Sequence, residues 1–207
     1  MKIAVYGATG NIGSRIVAEA GRRGHHVTAL SRRESTGPLP EGATWQAGDL
    51  ADTAGVATVA AAHDVVVTAN GPSRVPGEDP FAFAPLIRAA AAVVGSTRFF
   101  VVGGAGSLLA APGVRLVDTP EFPEAYKSEA LAGAEVLAFL RDADDSLEWA
   151  YLSPAPVIEG GERTGSYSTA DETPAGNWIS YEDYAVAVLD ELEQPAHRRA
   201  RFTVASR

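Results

Sequence analysis

Short apolar runs alternate with stretches of helical periodicity along most of the chain. Residues 2–6 (KIAVY) are β-branched and apolar and stop at Gly7, the pattern of a buried strand. Residues 11–23 put Ile12, Ile16, Val17 and Ala20 on one helical face, and Gly24 closes that helix. Residues 26–30 read as a second strand, so the three pieces have the length of a parallel β-α-β crossover. The alternation then repeats. A strand is expected at 43–46, an alanine-rich helix at 53–62, and a strand at 64–68 (DVVVT). A helix follows at 81–94 with Pro80 near its start, then a strand at 98–102 (RFFVV), a long helix at 123–141 and a strand at 147–152. Strands that are apolar throughout, rather than alternating, predict a parallel sheet covered on both faces.

Beyond residue 153 the pattern changes. Residues 153–177 are rich in Pro, Gly, Ser and Thr and read as loops with room for short strands. Ser180 stands as an N-cap, with Asp183 at capping-box spacing, before a helix at 181–193. A last strand is expected at 201–204. Neither an internal repeat nor a long polar linker divides the chain, which predicts a single α/β domain over residues 1–207.

Composition adds exclusions. Hydrophobic residues make up 46%, enough for a substantial core. A formal net charge of −9 repels phosphate backbones and anionic lipid surfaces, which argues against nucleic-acid and membrane partners. Without cysteine there is no disulfide, thiolate nucleophile or Cys-based metal site. The four histidines, His25, His26, His63 and His197, lack a helical ligand spacing, so no metal is expected. No apolar stretch reaches the ~18 residues of a membrane span, and the N-terminus lacks the order of a signal peptide. A cytoplasmic protein, monomeric or homodimeric, is the expectation.

The chemistry begins at Gly7-Ala8-Thr9-Gly10-Asn11-Ile12-Gly13, a GxxGxxG stretch between the first strand and first helix. Gly7 permits the tight turn, Gly10 lets backbone approach a pyrophosphate, and Gly13 lets helix pack close on strand. The pyrophosphate would rest on free N–H groups at the helix N-terminus, with Thr9 and Asn11 as added donors and Ile12 beside them. A Rossmann-like doubly wound parallel sheet is therefore expected, with residues from about 153 to 207 forming a small C-terminal cap on the substrate side and the last helix and strand. The second strand ends Leu30-Ser31-Arg32-Arg33, and the nearest acid, Glu34, comes later. An arginine there suits a 2′-phosphate, so Arg32 points to NADP(H) over NAD(H). Gly48-Asp49-Leu50 should flank the adenine. Asn70-Gly71 and Gly103-Gly104 follow the fourth and fifth strands, where ligands bind in open α/β sheets, and either hold the nicotinamide ribose or serve their loops.

These residues carry a resemblance. GATGNIGSRIVAEAGRRGHHVTALSRR, GDL, the glycines after RFFVV, the run from Trp149 through Pro154-Ala155 to Gly165, and ISYEDYA resemble the atypical short-chain dehydrogenase/reductases. The NmrA-like NAD(P)H-binding proteins, often described as NADH-flavin reductases, and the flavin/biliverdin reductases are the nearest look-alikes. The resemblance spans nearly the whole chain. It implies the fold, a nicotinamide cofactor with Pro154 among its contacts, and either a reductase or a redox sensor that binds without turnover.

Ordinary members of that superfamily place a tyrosine four residues before a lysine on one helix. Here Pro123 stands four residues before Lys127, and Tyr126 is adjacent to it, about 100° away around a helix. Lys127 shares a stripe with Leu131, Ala134 and Ala138, the expected inward face, and two readings stand: a group on the nicotinamide ribose, or a surface lysine. Ser107 either orients nicotinamide or substrate, or caps a turn. Carbonyl reduction needs a proton placed on oxygen, whereas a flavin exchanges protons with water. The missing dyad therefore favours a flavin or similar flat small-molecule acceptor, or a sensor, unless Tyr151 or Tyr167 substitutes. Trp178 and Phe122 wall an acceptor pocket or belong to the core. Ser153 lacks the glycine elbow of a nucleophile, and Asp142, Asp144 and Asp145 read as a solvated turn.

Overall fold

A computed structural model describes residues 1–33 and 37–207; Glu34 lies outside the described residues. Its elements are β1 (Lys2–Tyr6), α1 (Asn11–Arg22), β2 (His26–Ser31), β3 (Ala43–Ala47), α2 (Thr53–Ala62), β4 (Val65–Thr68), α3 (Phe83–Ala91) and β5 (Arg98–Val102). They continue with β6 (Leu109–Ala111), β7 (Val114–Arg115), α4 (Lys127–Arg141), β8 (Trp149–Ser153), β9 (Val157–Glu159), β10 (Tyr167–Ala170), β11 (Trp178–Ser180), α5 (Tyr181–Glu193) and β12 (Ala200–Ser206).

One eight-stranded sheet runs in the order β10-β12-β8-β5-β4-β1-β2-β3, parallel except for the edge strand β10. The order reverses between β1 and β4, so the crevice at their carboxyl ends is the topological switch point. Strand parity explains the apolar runs. Ile3, Val5, Val67, Phe100 and Leu152 face a layer containing α1 and α5, while Ala4, Tyr6, Val66, Val101 and Tyr151 face α2, α3 and α4. This is the Rossmann-like doubly wound arrangement.

Three expectations change. Residues 153–207 are only partly a cap: β12 extends the central sheet beside β8, β10 closes its edge, and α5 packs on α1 beneath. The helices expected at 81–94 and 123–141 each open with a separate 3₁₀ turn, Pro80–Ala82 and Glu124–Tyr126, before the α-helix begins. Ser180 Oγ does accept from Asp183 N–H at 2.9 Å. The Asp183 carboxylate does not return the bond; it holds Thr164 Oγ1 and Gly165 N–H at 2.6 and 2.8 Å, pinning the strap between β9 and β10.

A second pin on that strap is ionic. Arg163 reaches Glu19 on α1 with bonds of 2.7 and 2.8 Å, and Arg23 and Arg22 meet the same carboxylate. The Arg163 guanidinium and then Arg23, working against burial, hold the Glu19 carboxyl down to about 2. A depressed carboxyl contributes stability that is complete above its unfolded value and lost as pH falls through its folded one. Glu19→Gln should therefore lower stability near neutrality. The gap from wild type should close between about pH 4.5 and about pH 2 in urea titrations. A gap independent of pH would sink this assignment.

Candidate functional site

The three glycines of the first loop prove to have three different reasons. Gly7 has φ +77°, and a Cβ there would come within 2.8 Å of the Ala69 backbone. At Gly13 a Cβ would lie 2.2 Å from the Gly7 carbonyl oxygen, so α1 sits on β1 only because nothing projects there. Gly10 is the exception. Its φ is −75°, and its hypothetical Cβ meets only the Gly7 oxygen, at 3.3 Å. Conformation does not demand glycine at position 10, and packing asks only a few tenths of an ångström of the Gly7 oxygen.

Gly10 is also the N-cap of α1, and no side chain caps that terminus. No acidic residue occupies its first turn. A helix end with orphan N–H groups and no carboxylate is an anion site in waiting. Thr9 and Asn11 are exposed at it, and Ile12 is half-buried against the α1 layer. Asn11 Nδ2 lies 3.4 Å from Tyr181 Oη, tying the loop to α5, so the donor expected for a phosphate already has a neighbour within the chain.

Along the crevice, Arg32 and Arg33 are exposed after β2, and Ser31 Oγ donates to the Arg33 carbonyl at 2.5 Å, fixing that turn. Asp49 is exposed and accepts from Ala51 N–H at 3.0 Å. The Leu50 side chain is buried in the core, which leaves only its backbone for a ligand. Tyr6 lies beneath this turn; burial, then Asp52 and Asp49, push its phenol up to about 12, so it remains protonated.

After β4, Gly71 has open space where a Cβ would go, and the buried Asn70 Oδ1 has no partner among the described residues. After β5, Gly104 is likewise open, but Gly103 is not. Its Cβ would stand 2.1 Å from Tyr151 Cε1, so that glycine admits an aromatic ring of the chain itself rather than a ligand. Ser107 is nearly buried, and its Oγ has no partner among the described residues. Buried hydroxyls are normally satisfied, so this one stands out in the loop after β5. Ser153 Oγ and Thr68 Oγ1, at the ends of β8 and β4, are unpartnered in the same way. Pro154 is buried, and its carbonyl lies 3.5 Å from Thr203 Oγ1.

Lys127 corrects an expectation. It is the first residue of α4, its side chain is 44% exposed, and its Nζ lies 3.5 Å from Glu124. The inward face of α4 is Ala132, Ala134, Val136, Leu137 and Leu140; of the expected stripe Ala134 is buried and Leu131 half-buried, but Ala138 is exposed. Neither alternative tyrosine is available. The Tyr151 hydroxyl donates to Gly133 O at 3.2 Å and accepts from Gly104 N–H at 3.1 Å, and burial raises its pKa. Tyr167 donates to Asp190 at 2.5 Å, on α5. Trp178 is exposed and Phe122 half-buried, so neither is a core residue. Of the unpartnered groups, Asn70 is expected from its place after the fourth strand, and the sequence raises Ser153 only as a candidate nucleophile; Thr68 has no sequence signal beyond the strand end that carries it.

Comparison with known proteins follows this geometry. A family model described as NAD(P)H-binding matches residues 7–195. The chain is similar to a solved structure from Burkholderia pseudomallei, provisionally described as an exported protein. The two are 44% identical over 99% of each chain, with a TM-score of 0.86. A candidate NADH-flavin reductase from Streptococcus pneumoniae TIGR4 is 36% identical over 100% of both chains, with a TM-score of 0.89. A candidate epimerase from Bacteroides thetaiotaomicron is 36% identical over 99% of this chain and 96% of that one, with a TM-score of 0.88. Among the described residues, no helix is long and apolar enough to cross a membrane.

Proposed function

Because the chain belongs to the NAD(P)H-binding family, we propose that it is an NADPH-dependent oxidoreductase reducing a flavin or similar flat, conjugated acceptor. The observation that carries the cofactor half is the uncapped, acid-free N-terminus of α1 after β1, together with the open positions at Gly71 after β4 and Gly104 after β5. These are cradles that a Cβ would fill, in a line along the carboxyl ends of β1, β4 and β5. The α1 N-terminus would hold the pyrophosphate, Asp49 and the Leu50 backbone the adenine side, and Asn70 and Ser107 the nicotinamide side. Arg32 would meet a 2′-phosphate as a charge-assisted fork. When bound, NADPH supplies the hydride.

The acceptor half rests on where protons are absent. Lys127 is paired with Glu124 in solvent, and Tyr151 spends its hydroxyl on two backbone groups. Ser107 offers an orienting hydrogen bond, not an acid. An acceptor whose balancing proton comes from water needs nothing more from the chain. The similarity to a candidate NADH-flavin reductase supports this reading. The same lack of a placed acid also supports a second reading, a redox sensor that binds NADP(H) without turnover.

Steady-state NADPH oxidation with and without added flavin separates them. We expect flavin-dependent turnover that prefers NADPH over NADH. In Arg32→Ala that preference should shrink by about tenfold to a hundredfold, the worth of one lost charged hydrogen bond or fork. Cofactor binding without turnover would favour the sensor, and no binding of either cofactor would overturn both readings.

A further inference from the structure

Exposed apolar side chains are unevenly distributed. Among the described residues, the large hydrophobic side chains most open to solvent are Met1, Val75, Phe81, Val114, Tyr126, Val157 and Trp178. All but Met1 lie on the three segments that leave the carboxyl ends of β4, β5 and β8. None lies on the described residues after β2 or β3, the adenine side. Exposed apolar side chains are thus concentrated on the connections that leave the carboxyl ends of β4, β5 and β8.

Two of these side chains stand on elements that meet at α4. The 3₁₀ turn at Pro80–Ala82, which carries Phe81, packs on α4, and Tyr126 is the N-cap of that helix. Arg74 Nε sits 2.8 Å from Glu129 in the first turn of α4, tying the segment after β4 to the one after β5. Tyr126 is 56% exposed at the start of that helix. On the other face of the sheet, Trp178 pairs in register with Val157, and its Nε1 donates to Glu159 at 3.0 Å.

The charges on the same segments are one-sided. Residues 69–82, 103–127 and 154–180 contain four cations, Arg74, Arg115, Lys127 and Arg163, against nine acids. Each of the four is already in an ion pair, with Glu129, Asp118, Glu124 and Glu19 respectively. An anionic acceptor would meet an acidic mouth with every cation engaged, whereas a neutral ring system would meet aromatic faces.

We infer that this mouth selects an uncharged, flat conjugated acceptor, a quinone or an isoalloxazine without phosphate, and holds it against Phe81 and Tyr126. The inference rests on the reductase reading for its role but concerns a surface that can be measured separately. Riboflavin and FMN differ only by a phosphate, so they isolate charge.

The protein loaded with NADP⁺ should quench riboflavin fluorescence with a dissociation constant at least about tenfold below that for FMN, given the repulsion described. A simple quinone should displace the riboflavin. Phe81→Ala/Tyr126→Ala should weaken riboflavin binding about tenfold or more through lost stacking faces, with NADP⁺ affinity and melting temperature unchanged. Equal or tighter binding of FMN overturns the selectivity. Unchanged riboflavin binding in the double variant, or none in the wild type, overturns the site. Retained riboflavin binding with no NADPH oxidation by riboflavin or quinone upholds the mouth and overturns the reductase reading instead.

Discussion

Gly13→Ala is expected to destabilise the protein and weaken cofactor binding together. The new methyl would lie 2.2 Å from the Gly7 oxygen and 2.8 Å from the Gly7 carbonyl carbon, both backbone atoms that cannot rotate away. The helix must therefore lift from β1, at the ~1–3 kcal/mol typical of overpacking. For a chain of this size that corresponds to a melting-temperature loss on the order of 5 °C. Lifting the helix also misaims its N-terminal amides, so NADPH affinity should fall about tenfold or more. Gly10→Ala is the informative partner. Its methyl meets only the Gly7 oxygen, at a tight 3.3 Å rather than 2.2 Å, so the stability loss should be smaller than in Gly13→Ala while affinity drops, because the methyl enters the space assigned to pyrophosphate. Melts and cofactor titrations of the two variants together test the site. Wild-type affinity in Gly10→Ala would mean that no ligand approaches there.

Tyr151→Phe is expected to lower stability by about 1–3 kcal/mol, the usual consequence of leaving buried partners unsatisfied. It removes one hydroxyl that serves both Gly104 N–H and Gly133 O. NADPH affinity and any flavin-dependent turnover should survive, because the group is a strut between the β5 loop and α4 rather than an acid. Loss of turnover at unchanged stability and cofactor affinity would reverse that assignment. Gly103→Ala approaches the same strut from the other side. Its methyl would collide with the Tyr151 ring at 2.1 Å. Shrinking the ring in Gly103→Ala/Tyr151→Ala should return part of the stability lost in Gly103→Ala, a coupling that a thermodynamic cycle would register.

Most of this fold was legible in the sequence because it depends on local information. Continuous apolar runs, helical stripes and glycine punctuation mark the β-α alternation, and the observed helix Thr53–Ala62 matches the expected one residue for residue. The GxxGxxG stretch located the β1–α1 turn for the same reason: turn conformation, helix start and close packing are all set within seven residues. The family resemblance was also carried by contiguous motifs.

Tertiary structure decided what depends on partners distant in sequence. Residues 167–170 carry little apolar signal, yet pairing with β12 makes them the sheet edge. Asp183 has capping-box spacing, but the strap 18 and 19 residues earlier in the chain claims its carboxylate. The ring of Tyr151 explains Gly103, and burial of Ser107, Thr68 and Ser153 without partners among the described residues is a property of the assembled layers alone. Lys127 fell on a helical stripe by spacing, but a stripe states periodicity and not direction. Only the packing of α4 on its neighbours shows which face turns inward, because burial arises from all surrounding elements at once.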